Sequence, residues 1–520
     1  MDTFLRRHAG SVTGVLSGFD RLLFAGSVGM LANTRGMLSV LYLLKVLLKD
    51  FATWAQDLTA TLRAAVERQA ADAGVPAVYV NDSSVRKEEL AWRIAAERGV
   101  VEGPVCLLSA VEPCRSYDVF RNRRDKRLEL VRRPRKCLHY YQYLIHPELG
   151  FCHVRLASWL PLGVRVCVNG REMLARQMDR AGIAYERRDN CFAAVSDVAK
   201  AQALLEAQLE YDWAATLHDL ADRANPVRRT MLGDFEPHYY WAVEQSEWAS
   251  DVMFKDAAGL SGLYPRLARH GMLALGCDDV MRYLGRRVRA EDPRFHGQVI
   301  TDLRHRGQGM RLKHRLNANS IKVYDKQHSV LRVETTINDP KDFRCYRRAG
   351  GDQQSKLCWR VLRKGVVDIK RRAEVSHRAN QRYLEALAAV EATAALGELA
   401  APLCRGVAGR GRTGRARPLN PLCPDDARLL QAVARGEFAI NGFRNRDIRR
   451  LLYDGEPADA RECKRRSGRV TRMLRMLRAH GLINKVPHTH RYVVSDNGRT
   501  AIAAILAARQ ADTSKLLAAA

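Results

Sequence analysis

At 520 residues the chain exceeds what one ordinary core fills, and a prior of about 100 to 200 residues per domain points to several units. Lysine and arginine number 86 against 57 acidic residues, a formal charge of +29, which favours polyanions, nucleic acid first, because each neutralised phosphate releases condensed counterions. With 47% hydrophobic residues the chain is no disordered polyelectrolyte, and its most apolar run, MLSVLYLLKVLLKDF from Met37, is broken by Lys45 and Lys49 short of the ~20 residues a membrane span needs.

The start, MDTFLRRHAGS, lacks the apolar core of a secretory signal. Residues 1–112 read as an α/β unit, with VTGVLSGFD, PAVYV and PVCLLSAV as short apolar runs and SSVRKEELAWRIAAERG as a helix. Asp20 closes the first run, either as a strand-end acid or as a cap or turn residue.

A mixed α+β core follows over 113–400, with antiparallel strands across 117–170. In FCHVRLASW, Cys152, Val154 and Leu156 point one way and Phe151, His153, Arg155 and Trp159 the other; His139, Tyr141 and Tyr143 likewise share a face. A sheet with one apolar and one aromatic, basic face suits stacked single-stranded bases, RNA among them, or packs under a helix. LGFCHVRL resembles the RNP1 strand of RNA-recognition motifs at Gly150, Phe151 and Val154, although that pattern wants aromatics where His153 and Leu156 stand.

Residues 195–295 read as helical, placing Glu244, Glu247 and Asp251 at i, i+3 and i+7 on one face, where they either hold a divalent metal or pair with arginines. A second strand group spans 297–338. Arg311, Lys313 and Arg315 share a face in GMRLKHRL; Lys322, Tyr324 and Lys326 share one in IKVYDK, as do Arg332, Glu334 and Thr336 in VLRVETTI. The dense basic face this forms has three readings. It tracks a nucleic-acid backbone, it holds catalytic candidates Tyr324 and Glu334, or it is a structural hairpin whose Glu334 neutralises a neighbouring cation.

IKVYDKQHSVLRVETTI resembles the replication initiators of filamentous phages and related plasmids, which carry comparable Tyr-x-Lys and Leu-Arg-x-Glu strands. That resemblance implies a nuclease using tyrosine and a divalent metal, Mg²⁺ or Mn²⁺. The His-hydrophobic-His metal pair of the wider rolling-circle group is absent, the one HxH being His488-Thr489-His490, so no catalytic residue is carried over.

After an alanine- and leucine-rich helix near 371–400, residues 401–423 read as a basic, flexible linker through RGVAGRGRTGRARPLNP. Beyond it, over 424–520, PDDARLLQAVARG is a helix, FAINGF a short strand, RNRDIRRLLY a second helix and SGRVTRMLRMLRAHG the end of a third. Val470, Met473, Leu474 and Leu477 form the third helix's apolar stripe; Lys464, Arg465, Arg472 and Arg475 lie opposite, with Arg469 on a flank. LINKVPHTHRYVVS then reads as two strands around a turn, followed by the helix DNGRTAIAAILAARQ.

This order, with RMLRAHGLINKV and HRYVVSDNGR, resembles the winged-helix family over about 424–508. The resemblance implies that Arg469, Arg472 and Arg475 read duplex DNA in the major groove, while Lys485, His488, His490 and Arg491 lie on a wing against the backbone. Twelve cysteines scattered singly, without a CxxC pair, exclude a zinc ribbon and argue for the cytoplasm. No P-loop is present. The sequence thus leads to an α+β multidomain nucleic-acid-binding protein of a mobile-element or plasmid kind; the alternatives are a nuclease, a transcription regulator and an RNA-binding protein.

Overall fold

The computed structural model describes every residue except 234, 236, 274, 286–298, 307–308, 350–353, 389–395, 409–414, 436–437, 439–441, 488 and 511–520. In chain order the first elements are α1 (Asp2–Arg7), β1 (Val12–Val28), α2 (Thr34–Leu43), α3 (Phe51–Asp72), β2 (Ala77–Tyr79), α4 (Lys87–Glu97), β3 (Gly103–Asn122), β4 (Arg127–His146), β5 (Gly150–Ala157) and β6 (Val164–Asn169). Next come α5 (Gly170–Ala181), β7 (Tyr185–Arg188), β8 (Cys191–Val195), α6 (Val198–Ala207), α7 (Trp213–Ala224), β9 (Tyr239–Phe254), α8 (Ala257–Leu273) and α9 (Cys277–Tyr283). Then follow β10 (Val299–Arg306), β11 (Gly309–Leu316), β12 (Asn319–Lys326), β13 (Val330–Ile337), β14 (Arg344–Arg347), β15 (Cys358–Val361), α10 (Ile369–Leu387) and α11 (Leu396–Ala400). The last are β16 (Val407–Ala408), β17 (Arg415–Ala416), α12 (Pro424–Ala434), α13 (Asn445–Leu452), α14 (Ala460–Ala479), β18 (Ile483–Lys485), β19 (Tyr492–Val494) and α15 (Asp496–Gln510).

They sort into two compact units, residues 9–261 with 302–380, and residues 1–8, 262–301 and 381–520. The multidomain α+β class is what these elements form. One sheet carries the strand order β10-β11-β12-β13-β9-β1-β6-β5-β4-β3-β2. The expected boundary at 112 therefore falls inside β3, and the strands of 117–170 and of the 297–338 group belong to one sheet with β1.

The expected helical segment 195–295 is corrected in its middle. Residues 239–254 are β9, the strand joining the two strand groups, and 286–295 lie outside the described residues. The register of β9 with β1 passes from Leu23↔Gln245 to Phe24↔Val243, so Glu244 is an extra residue that breaks the two-residue period and imitates helical spacing.

Paired residues present their side chains to the same face. Lys313 pairs Lys322, Lys322 pairs Glu334, Glu334 pairs Ala249 and Ala249 pairs Gly18. Further along, Arg21 pairs Glu247, Leu23 pairs Cys167, Cys167 pairs His153 and His153 pairs Tyr143. The basic strand face and the aromatic face, separate in sequence, are thus one continuous face.

The opposite face is apolar. Phe19, Leu22, Phe24, Val154, Val166 and Trp248 pack with Met37, Leu58 and Leu217 of α2, α3 and α7, each burial worth roughly 1.5 to 3 kcal/mol. The polar face is covered in part: α5, α6 and the β7–β8 hairpin lie over the first half of β1, and α4 lies over β3 to β5. Gly18 permits the first approach, since a Cβ there would stand 2.6 Å from Leu205 Cδ2.

In the other unit, α12 to α15 pack around Leu430, Ile448, Val470, Leu474, Leu477 and Ile502, and β18 pairs β19. Within the expected FAINGF strand, 439–441 lie outside the described residues, and Phe443 bridges Tyr492. The stretch 401–423 is more than a linker. Leu403 and Leu419 are buried in this core, and Arg417 grips Asp426 with two bonds at 2.5 and 2.9 Å; residues 409–414 lie outside the described ones. Its scattered leucines anchor a segment that its basic residues made look solvated.

Candidate metal and strand-binding site

Asp20 owes its place to a β-bulge. The register of β1 with β9 passes from Phe19↔Trp248 to Arg21↔Glu247, leaving Asp20 as the extra residue, and bulges re-aim side chains in this way. Gly170 at the start of α5 allows the bulge to close, because a Cβ there would stand 2.1 Å from the Phe19 carbonyl oxygen. In the row Glu334–Ala249–Gly18, Ala249 keeps the position beside Glu334 small, while Leu205 of α6 fills the space over Gly18. One carboxylate oxygen each from Asp20, Glu247 and Glu334 lies within 4.8 Å of the others.

Cations surround the trio. Arg332, fully buried, donates through Nε and Nη2 to Asp251 at 2.5 and 2.8 Å and through Nη1 to Asp20 at 3.1 Å. Arg171, also fully buried, reaches Asp251 at 3.0 Å. Asn190 donates to both Asp20 oxygens at 3.1 and 2.9 Å. Lys322 binds Glu334 and lies 3.6 Å from Glu247, and Tyr324 Oη donates to Glu334 Oε2 at 2.6 Å.

These contacts split the carboxylates. Burial raises Glu334, but the charges of Lys322 and Arg332 outweigh it and hold it well below the usual range. Burial wins at Asp20, which is raised despite Arg332, and Glu247 is pushed up to about 7 by burial and by Glu334, against Lys322. Asp251 goes the other way, Arg332 and Arg171 overcoming its burial. Burial and the Glu334 charge hold Tyr324 well above its ordinary value, so its phenol is protonated at neutral pH.

Beside Glu247 a groove of about 640 Å³ begins, floored by Arg21, Tyr141, His153, Arg155 and Arg165 and walled by Trp92 and neighbouring residues of α4. Burial and the nearby Arg21 and Arg155 charges bring His153 down to about 3, so its ring is neutral. It lies 4.8 Å from the Tyr143 ring and 5.7 Å from Tyr141. Phe151 stacks on Trp92 at 3.9 Å. Trp159, expected on this face, packs instead against the apolar core beyond the end of β5.

Glu112 accepts from Tyr141 at 2.7 and 2.8 Å and from Arg155 at 2.7 Å, and pairs with Lys87 at 3.0 Å. Burial raises its carboxyl, but these donors prevail and bring it to about 2 from an ordinary 4.5. A folded-state value below the unfolded one stabilises above about pH 4.5, and that stability is lost as pH falls towards 2. In Glu112→Gln the decline of Tm over that window is expected to be shallower than in the wild type; thermal melts at stepped pH with an unaltered slope would contradict the assignment.

Several expected contact residues are placed otherwise by the structure. Lys326 is buried against Asp189, at 2.8 Å, and Asn190, and Arg332 is buried in its carboxylate pairs, so neither presents its charge to a strand passing outside. Burial between charged partners overrode the alternation that grouped them with surface cations. Lys322 is mostly covered; Arg311 and Lys313 are half-buried and Arg315 is exposed. Of the expected metal face, Glu247 alone joins the trio; Glu244 points to Arg165 at 2.6 Å and Asp251 holds arginines.

In the other unit Lys464, Arg465, Arg469, Arg472 and Arg475 are exposed along α14. Arg465 pairs with Glu462 and Arg469 with Asp425, while Arg472 and Arg475 carry no ion pair among the described residues. Lys485 and His490 are exposed, Arg491 is half-buried, and His488 lies outside the described residues. Sequence reading missed Arg171, Asn190, Arg21 and Glu112. Of these, only Arg21 and Glu112 carried a signal, each next to or ending a run already read as a strand. No protein-family model, curated protein or solved structure matches the chain.

Proposed function

We propose that the protein binds single-stranded DNA along the groove and cleaves a phosphodiester at Asp20, Glu247 and Glu334 with a divalent cation. The convergence of three carboxylates from three strands, in the same sheet face as the aromatic, basic groove and next to its Arg21, carries this reading. Oxygen ligands suit Mg²⁺ or Mn²⁺, and a bound cation would favour the ionised form of Asp20 and Glu247, both of which burial raises. A cation held there would supply Lewis-acid polarisation of a phosphoryl oxygen, and Lys322, freed from Glu334, would offset charge on the others.

Tyr324 is the candidate nucleophile. Its oxygen would attack phosphorus as the P–O bond to the leaving strand breaks; Glu334, bonded to the phenol at 2.6 Å, would orient it while the proton passes to water, and the departing oxygen would take one from water. Incubating the full chain with end-labelled single-stranded DNA and Mn²⁺ tests this. A covalent adduct is expected from the wild type and none from Tyr324→Phe, whereas an adduct surviving in that variant removes Tyr324 from the chemistry. Single-stranded RNA cleaved in preference to DNA would reassign the substrate.

Residues 424–508 complete the reading as a winged-helix module for duplex DNA. The order of helices α12 to α14, the β18–β19 hairpin, the Phe443 bridge and the exposed arginines of α14 support it. Arg472→Ala with Arg475→Ala is expected to lower duplex affinity about tenfold or more and to erase sequence preference, each bidentate base contact being worth about 1 to 3 kcal/mol. Titrations against two unrelated duplexes measure it, and an unaltered preference rejects the role. The combination suits a mobile-element or plasmid protein that finds a site and then cuts a strand. The twelve free thiols fit a reducing compartment such as the cytoplasm, and among the described residues no helix is long and apolar enough to cross a membrane.

A further inference from the structure

Strands β3 and β4 are each 20 residues long, but β5 pairs only with His139 to His146 of β4, and β2 only with Leu107 to Ser109 of β3. From there outwards the two strands pair with each other alone, to Asn122↔Arg127. The result is a two-stranded ribbon about 40 Å long at ~3.3 Å per residue. One face is held against the core along most of this length, as far as Val119 and Leu130. Tyr117 and Leu130 are buried in the main core, Tyr117 Oη donates to the Leu31 carbonyl at 2.7 Å, and Arg132 Nη1 donates to the Ala32 carbonyl at 2.7 Å.

The tip, turned by Asn122 through bonds to Asp125 and Glu129, is largely exposed and strongly basic. Arg121, Arg123, Arg124, Lys126 and Arg127 are all exposed there without an ion pair among the described residues, while the nearby acids Asp125 and Glu129 accept from Asn122. The face that continues the groove carries Arg133 and Arg135, both exposed; Arg135 pairs with Asp118 at 2.5 Å, and Arg133 lies 3.8 Å from the same carboxylate and over the exposed Phe120 ring at 5.2 Å. The five tip cations, which carry no ion pair among the described residues, are a cost unless a polyanion receives them.

We propose that this ribbon is a duplex-DNA arm, lying in the major groove or along the backbones that flank it. A two-stranded ribbon fits the roughly 12 Å B-form major groove; here the tip beyond Val119 and Leu130 is the part free to enter it, with the exposed face behind it following the flanking backbone. The same strands carry Glu112, Tyr141 and Tyr143 into the groove beside the carboxylates. A junction would therefore place its single strand in the groove and its duplex on the arm. This extends the proposed function to substrate shape, but duplex binding by the arm does not depend on the carboxylate chemistry.

The test uses the full chain in the R472A/R475A background, which removes the other duplex surface. Affinity for a junction with a duplex flank, and its dependence on salt, is compared with and without R121S/R123S/R124S/K126S/R127S. Removal of the tip cations is expected to weaken junction binding about tenfold or more and to make the log K against log salt slope shallower by about 2 to 4, while binding and Mn²⁺-dependent cleavage of isolated single strands stay as before. An unaltered slope and affinity overturn the arm even if cleavage persists; loss confined to the arm leaves it standing even if no cleavage is ever seen. Equal loss on an A-form RNA duplex, or tip-dependent binding to phosphatidylcholine–phosphatidylserine vesicles with no effect on DNA, also overturns it.

Discussion

Arg332→Met is expected to destabilise the larger unit by about 3 to 5 kcal/mol, the cost of removing one partner from a buried ion pair. The guanidinium is fully buried and satisfies Asp251 with two bonds, Asp20 with one and the Asn190 carbonyl at 2.7 Å, so its loss strands two carboxylates away from water. Arg171 cannot take over. It lies fully buried against Asp251, with its Nε and Nη1 already lacking partners among the described residues. Urea unfolding of wild type and variant measures the effect, and a loss under about 1 kcal/mol contradicts it. Adding Asp251→Leu should restore part of the stability, because replacing both partners removes the unpaired charge.

Asp20→Asn with Glu247→Gln is expected to abolish metal binding and to lower strand cleavage about a thousandfold or more, a loss of roughly 4 kcal/mol of transition-state stabilisation. Wild-type protein should gain about 2.7 kcal/mol at a Mn²⁺ concentration a hundred times Kd. The variant should gain none. Because Asp20 also accepts from Arg332 and Asn190, urea unfolding of the variant without metal checks that it remains folded before the two proteins are compared. A melt showing equal Mn²⁺ stabilisation in both proteins contradicts the ligand assignment.

The alternation of β11, β12 and β13 was legible because those strands keep an unbroken two-residue period, and Tyr324 and Glu334 could be placed side by side from the pattern alone. Its neighbour β9 was not legible. A bulge at Glu244 displaces every later side chain by one position, so Glu247 and Asp251 fell on an imagined helix, and the strand joining the two groups was lost. Asp20 was singled out as a candidate acid, but its partners lie more than two hundred residues away in sequence and are brought to it by register. Lys326 and Arg332 show the opposite failure: alternation gives the face but not what covers it, and here α5 and the β7–β8 hairpin seal them from solvent.

The central claim is that the carboxylate trio, with a divalent cation, breaks a phosphodiester in single-stranded DNA. The direct measurement is the initial rate of cleavage of a labelled single strand by the full chain across a Mn²⁺ titration, for wild type and for Asp20→Asn with Glu247→Gln. The expected result is a rate that saturates with metal in the wild type and stays at background in the variant. Cleavage that proceeds equally in both, or a wild type that binds Mn²⁺ and single strands yet never cuts, contradicts it.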